Sequence, residues 1–571
     1  MKILIVGGVA GGASCAARLR RLNEDAEIIM VERGPYVSYA NCGLPYHVGG
    51  VIPNEADLLV ATADTFRHQF AIDARTDCEA VSISPENKTV DLKDLKTGET
   101  TTETYDKLVL SPGAPPIRPP LPGIDLPGIF SVRTVPDARE IRQWLDKGTP
   151  FLAGMSCYSG IQAVRPKTRA VVVGGGFIGL ETAENLAHRG FDVTVVEMGD
   201  QILGPLDREM ARIVEGYLER HGVKVVLNDG AAEFRQSKDG SLEAYTKSGA
   251  MHPADIVILG IGVRPDTKLA IAAGLEIGER GGIRTDDQMR TSDPDIFAVG
   301  DAVEVKDFMT GEASLVALAG PANRQGRIVA DVISGRDSKF RGTQGTAIIG
   351  LFEGTAAWTG VSEKTLKRLG DEDYQKIYLY PNSHAGYYPG AKPIALKVLF
   401  RKSDGRLLGA QGLGEDGVDK RISSLAALLQ MGATIYDLEE SELCYAPQFG
   451  SAKDPVNFSG MIAADVLNGD MPLCHWGEPD ETGVLLDVRE PFELAVENVE
   501  GAVNIPLGEL RSRLEELPKG KTIHVICRSG QRAYYATRLL LQNGFDAKNI
   551  SGGMLSRAHT SFFLHDWPDS N

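Results

Sequence analysis

Cysteine is scarce in this chain: seven in 571 residues, scattered so that no CxxC pair and no small-domain disulfide framework can be drawn. The spacing excludes a zinc-ribbon type of metal site and points to a reducing, cytoplasmic setting, with no bound metal expected. Long apolar runs are also missing, and nothing approaches the ~20 residues that span a bilayer. Met1-Lys2 followed by apolar residues has the outline of a secretory signal. However, Gly7, Gly8, Gly11 and Gly12 interrupt it, and Arg18, Arg20 and Arg21 follow at once. Positive charge is in deficit, with 60 Lys and Arg against 77 Asp and Glu and a net charge of -17. That balance argues against nucleic acid and against an anionic membrane surface. Any anionic cofactor must be held by local backbone N–H groups and a few arginines.

The most informative absence is local. Residues 38–46, Ser38-Tyr39-Ala40-Asn41-Cys42-Gly43-Leu44-Pro45-Tyr46, hold one thiol shortly after a nucleotide-binding start. Many flavin disulfide reductases carry a second cysteine about five positions after the first. Here the next cysteine after Cys42 is Cys78. An oxidised Cys42 therefore needs an external partner, either oxygen, giving a sulfenic acid, or a small thiol, giving a mixed disulfide.

What is present explains where that thiol sits. At a prior of roughly 150 residues per domain, the length suggests three to four units. Lys2 to Val6 reads as a buried parallel strand, followed by Gly7-Gly8-Val9-Ala10-Gly11-Gly12, a helix to Leu22, and a strand from Ile28 ending at Glu32 and Arg33. Such glycines let backbone N–H groups approach a pyrophosphate, and Glu32 can take a ribose hydroxyl pair. Val9 stands where GxGxxG has its middle glycine. Gly113 follows the strand Lys107 to Leu110, and a late strand ends in Gly300-Asp301. Two-dinucleotide-domain flavoproteins have these three pieces together, with the aspartate near the ribityl chain, so FAD is expected here.

A second turn, Gly174-Gly175-Gly176-Phe177-Ile178-Gly179, fits GxGxxG fully, and its following strand ends in Glu197. An acid at that place favours the free 2′-hydroxyl of NADH and repels the 2′-phosphate of NADPH. The expected division is an FAD-binding domain of 1–115 and 256–321, interrupted by an NADH-binding domain of 116–255. Residues 151–166, with Cys157, read as a surface insertion.

A third unit, 322–455, carries two aromatic sites, His384-Ala385-Gly386-Tyr387-Tyr388-Pro389-Gly390 and Cys444-Tyr445-Ala446-Pro447. They suit either a packed corner or tyrosine hydroxyls that serve sulfur chemistry. A linker is expected over 456–482 and a last α/β unit over 483–571, with an amphipathic helix from Leu507 to Leu517. There the strand Ile523 to Ile526 runs into Cys527-Arg528-Ser529-Gly530-Gln531-Arg532 and a helix. A thiolate at a helix entrance is stabilised by backbone N–H groups and arginine. Cysteine phosphatases use Cys-x5-Arg; the loop here is one residue shorter, a ring better sized for a terminal sulfur than for a phosphoryl group.

On these motifs the chain resembles the pyridine nucleotide-disulfide oxidoreductases of the coenzyme A disulfide reductase type. It is most similar to the fusion forms with a C-terminal rhodanese domain, described as NADH-dependent persulfide reductases. The resemblance implies two Rossmann-like domains, an α+β dimerisation domain and an α/β rhodanese domain. It also implies that Cys42 forms a mixed disulfide with CoA, flanked by Ser38 and Asn41, and that Arg18 and Arg21 hold the CoA phosphates. Tyr387 and Tyr445 match a pair donated across a homodimer interface. The implied reaction is NADH- and FAD-dependent reduction of CoA persulfide, polysulfide or CoA disulfide, with Cys527 and Arg532 handling sulfane sulfur. For such a reaction Cys42 is expected in an N–H-rich pocket with a lowered pKa. An NADH oxidase or peroxidase and a non-catalytic sulfur-delivery or sensing protein are the competing readings.

Overall fold

The computed structural model describes residues 1–146, 168–238, 240–478 and 483–559. They fall into two compact units, Met1–Ile202 with Glu219–Thr343, and Leu203–Leu218 with Gln344 onward. The segment 151–166 and Cys157 lie outside the described residues. Among these residues no helix is long and apolar enough to cross a membrane.

The first unit holds two five-stranded parallel sheets. One runs Ile296–Ala298, Lys107–Leu110, Lys2–Val6, Glu27–Val31 and Asp73–Arg75. Its inner strands are near-continuous apolar runs that share one core with the helices Ala10–Leu22 and Ala319–Ile333 and with the antiparallel strands Cys78–Ser84 and Thr89–Asp94. The helices Ala10–Leu22 and Ala319–Ile333 pack closely on one another, and a methyl on Gly326 would fall 2.2 Å from the Gly11 carbonyl oxygen. The second sheet runs Lys224–Val226, Asp192–Val196, Arg169–Val173, Ile256–Leu259 and Ile129–Ser131. Ile256–Leu259 is fully buried and pairs with Arg169–Val173. The domain boundary expected at 255 therefore moves to the far side of this strand: an all-apolar run at a sheet centre belongs to the sheet that buries it.

The second unit carries an antiparallel sheet, Ala347–Leu351, Gly354–Gly360, Leu407–Gly414, Ile394–Arg401 and Tyr374–Leu379. It also carries a parallel one, Leu473–Cys474, Ala547–Ile550, Ile523–Ile526, Val484–Asp487 and Val503–Asn504. The mixed α/β class is as expected, but the linker over 456–482 is not one. Asp454 caps the helix Pro455–Leu467, with Pro455 at its first position, and Leu473–Cys474 already belongs to the last sheet. The helix expected from Leu507 to Leu517 is two short turns, Leu507–Leu510 and Leu514–Glu516, broken at Arg513, whose φ is -124°. Leu507, Leu510, Leu514 and Leu517 all still pack on the core, so the leucine spacing marks the buried face without requiring one continuous helix.

Candidate functional site

Both nucleotide turns have the backbone geometry that their glycines allow. Gly7 and Gly174 lie at φ 98° and 109°, a region closed to most side chains. A methyl on Gly12 would sit 1.9 Å from the Gly7 carbonyl oxygen, and one on Gly179 would sit 2.1 Å from that of Gly174. Each turn has its acid pinned in the same way. Glu32 accepts the N–H groups of Gly8 (2.9 Å) and Gly34 (3.0 Å); Glu197 accepts those of Gly175 and Gly199, both at 2.7 Å. The space in front of Gly176 is open, as the approach of a phosphate requires. Arg33 reaches Glu79 at 3.6 Å. Gly113 has φ 74°, and Arg133 lies directly over the place where its side chain would be. Gly300 donates its N–H to Gln325, and burial pushes the neighbouring Asp301 carboxyl up against the weaker pull of Arg133. This donor set fits FAD along the first turn and a nicotinamide dinucleotide along the second.

Cys42 sits in the short turn Asn41–Gly43 that leads into the helix Leu44–Gly49. It is exposed, and like every cysteine among the described residues it is in no disulfide. Ser38 is held at φ 46°, its N–H donated to Gly8 at 2.8 Å, so the Cys42 segment is tied to the first glycine turn. The Asn41 Oδ1 atom is buried without a hydrogen-bond donor, an acceptor turned to no protein group. Arg18 is committed to Asp331, at 2.9 and 3.1 Å, whereas Arg21 is exposed.

The lowered thiol pKa expected of Cys42 is not what surrounds it. Although the residue is exposed, the protein packed on its other sides pushes the thiol up, and the Glu181 and Asp301 carboxylates add to the rise; its own backbone N–H opposes them only in part. Glu181 comes from the helix Phe177–His188 and accepts the Tyr46 hydroxyl at 3.2 Å. Burial, with Glu184 nearby, raises its own pKa to about 7. Glu181 was missed in the sequence because 135 positions separate it from Tyr46. Above pH 7 Glu181 is an anion that disfavours the Cys42 thiolate. Glu181→Gln should make Cys42 alkylate about three- to tenfold faster at pH 8. The two profiles should converge below pH 6, where Glu181 is already neutral. Identical profiles throughout, read by peptide mass in the holoenzyme, would show that the carboxylate does not act on the thiol.

In the second unit Tyr387 and Tyr445 are brought together, hydroxyl to hydroxyl at 3.0 Å, and both are exposed. Cys527 is buried at the end of its strand, and its Sγ accepts the N–H groups of Gly530 (3.1 Å) and Ala533 (3.4 Å) at the start of the helix Gln531–Gln542. The cradle foreseen for it is therefore present. Arg532 is engaged elsewhere, in a two-pronged pair with Glu493 at 2.6 and 2.7 Å. Glu493 was also missed, since the two residues lie 39 positions apart with no shared motif.

Residues 1–326 match the family of pyridine nucleotide-disulphide oxidoreductases, 347–454 its dimerisation domain, and 475–556 the rhodanese-like domain. The reduced CoADR-RHD of Bacillus anthracis is similar at 46% identity and a TM-score of 0.92, covering 98% of each chain. A NAD-dependent persulfide reductase from A. fulgidus is similar at 37% identity and a TM-score of 0.88, over 97% of this chain and 100% of that one. A coenzyme A disulfide reductase of Staphylococcus haemolyticus is 34% identical over 466 residues, 81% of this chain and 100% of its own length.

Proposed function

Because this chain belongs to the pyridine nucleotide-disulphide oxidoreductases, we propose that it uses NADH to reduce CoA persulfide or polysulfide, and CoA disulfide. The substrate classes come from the names of its relatives. The observation that carries the reading is the exposed thiol of Cys42, in a segment tied to the first nucleotide turn and without a neighbouring cysteine to close on.

FAD held along the first glycine turn would supply the two-electron link between NADH and sulfur. The other tasks fall to the chain itself. Cys42 thiolate attacks the CoA-bound sulfur of CoA–S–SH; the S–S bond breaks, HS⁻ leaves, and Cys42–S–S–CoA forms. Two electrons then cleave that bond and return the Cys42 and CoA thiolates. CoA disulfide enters at the same step with a CoA thiolate as leaving group. Ser38, Asn41, Arg18 and Arg21 would hold CoA, and the acceptor left open on Asn41 suits an amide N–H. Glu197 at the second strand end favours NADH over NADPH. Cys527 supplies sulfane sulfur to CoA. The exposed Tyr387–Tyr445 pair is assigned to the site of a second copy in a homodimer. The scattered free thiols agree with a cytoplasmic protein. FAD-binding segments 1–115 and 261–321, an NADH-binding segment 116–260, a dimerisation domain to about 470 and a rhodanese domain beyond it complete the assignment.

Anaerobic NADH oxidation with CoA persulfide, CoA disulfide and, separately, oxygen tests this reading in the wild type and in Cys527→Ser. Preformed CoA persulfide should be consumed equally fast by both proteins. Polysulfide supplied with catalytic CoA should be used at least about tenfold more slowly by the variant. Rapid NADH consumption with oxygen and no thiol substrate would replace the proposal with an oxidase.

A further inference from the structure

Two arginines follow Cys527 within five residues, and only one of them is free to meet a substrate. Arg528 is exposed. Arg532 gives Nη1 and Nη2 to the two carboxylate oxygens of Glu493, a pair whose side chains are 30% and 18% exposed. Glu493 is itself anchored, because the same Oε2 accepts the Glu490 N–H at 3.0 Å. The pairing holds the Glu493 carboxyl down and the Arg532 guanidinium up. The Cys527 sulfur is left with uncharged donors, the Gly530 and Ala533 N–H groups. Exposed apolar side chains lie near the pair in sequence: Phe492 adjoins Glu493, Val496 lies three residues on, and Tyr535 stands one helical turn from Arg532.

We infer that Glu493 sets the donor class of the Cys527 site: by masking Arg532 it disfavours dianionic oxyanion donors of the thiosulfate type and leaves the site to thiol persulfides with an apolar carbon next to sulfur. The inference rests on Cys527 as the sulfur carrier of the proposed function. In the favoured step the Cys527 thiolate attacks the outer sulfur of R–S–SH, the S–S bond breaks, R–S⁻ leaves with its electron pair, and Cys527–S–SH remains. With thiosulfate the leaving group is sulfite, and two negative charges must approach a thiolate whose nearby guanidinium, Arg532, is already paired with Glu493. Bidentate guanidinium contacts are those best matched to such an oxyanion, and here both Nη groups are already used. Glu493 acts through Arg532, as a positioning residue.

The test is single-turnover sulfur loading of Cys527 in the full-length protein, followed by peptide mass, with thiosulfate and with N-acetylcysteamine persulfide, which has an uncharged tail. The wild type should load from the persulfide at least tenfold faster than from thiosulfate. Glu493→Gln should raise the thiosulfate rate roughly ten- to hundredfold, the size expected of one hydrogen-bonded charge contact, with a much smaller change for the persulfide. Glu493→Asp should return the ratio towards wild type, and Glu493→Gln/Arg532→Gln should lose the gain. Parallel loss with both donors, a gain that persists without Arg532, or equal donors in the wild type would overturn the inference while leaving Cys527 a sulfur carrier. No loading of Cys527 from any donor would overturn both.

Discussion

Cys42→Ser is expected to abolish NADH oxidation with CoA persulfide and with CoA disulfide alike, a fall of about a thousandfold or more, as when a catalytic nucleophile is removed. The expectation follows from the count of thiols. Cys42 is the exposed thiol of the segment tied to the first nucleotide turn, and no neighbouring cysteine can replace it in forming a mixed disulfide. Serine preserves the size of the side chain but gives an alkoxide that is not formed at neutral pH and a bond to sulfur that cannot be cycled by two electrons. Stopped-flow absorbance should still show bleaching of the bound flavin by NADH in the variant, because the dinucleotide turns are untouched. The defect would then lie in the step from flavin to sulfur. Turnover surviving the substitution would place the chemistry elsewhere.

A second large effect is expected far from that thiol. Lys397 is fully buried, and its ammonium is shared by Asp207 (2.9 Å), Glu363 (2.7 Å) and Glu209. These three carboxylates have the spacing of a cation site, and the lysine ammonium fills it. Burial alone would lower the lysine pKa, but Tyr378 and the carboxylates of Asp207, Glu209 and Glu363 around it raise it well above the usual value. Burial likewise works to raise Asp207 and Glu363, and the lysine charge outweighs it, so both stay depressed. Lys397→Met should cost about 3–5 kcal/mol at pH 7, since it removes the cation that the buried Asp207 shares with Glu209 and Glu363. Urea unfolding of the holoenzyme, followed by far-UV circular dichroism, measures it.

The pH dependence of that loss has a definite sign. Carboxyls depressed in the folded state stabilise it above their unfolded pKa, near 4, and the stabilisation is lost as pH falls through the folded values. The wild type should therefore weaken below pH 4. In Lys397→Met, Asp207 and Glu363 lose the charge that depresses them most, although Lys376 and Lys367 still face Glu363, so both bind protons more readily and acidification relieves the penalty. The gap between the two proteins should shrink as pH falls from 7 to 4. A gap independent of pH would mean that packing, not charge, sets the cost.

Much of the architecture could be read locally, for physical reasons visible in particular residues. Lys2–Val6 and Arg169–Val173 are apolar after their first residue because both faces of a parallel sheet are buried. Gly7 and Gly174 announce turns that few side chains can enter, and Glu32 and Glu197 stand where their carboxylates can take N–H groups of the same turns. The Cys527 cradle is likewise local, spanning six residues from sulfur to the Ala533 N–H. What escaped depends on distant partners. Glu181 reaches Tyr46 across 135 positions, Arg18 reaches Asp331 across 313, and neither pair has a shared motif. The expected thiolate bias at Cys42 failed for the same reason: it is opposed first by burial under the folded chain, and then by acids from the second nucleotide helix and the late Gly300-Asp301 turn. The linker expected over 456–482 failed likewise, because only the Asp454 cap and the packing of Pro455–Leu467 reveal a helix there.

The central claim is that oxidised Cys42 is bonded to CoA. Intact and peptide mass spectrometry of the holoenzyme after one equivalent of CoA disulfide, without NADH, tests it most directly. The account predicts one CoA adduct per chain, located on Cys42, present in Cys527→Ser and released stoichiometrically on adding NADH. A Cys42 peptide that instead gains a single oxygen in air, takes up no CoA and still returns to the thiol with NADH would contradict it.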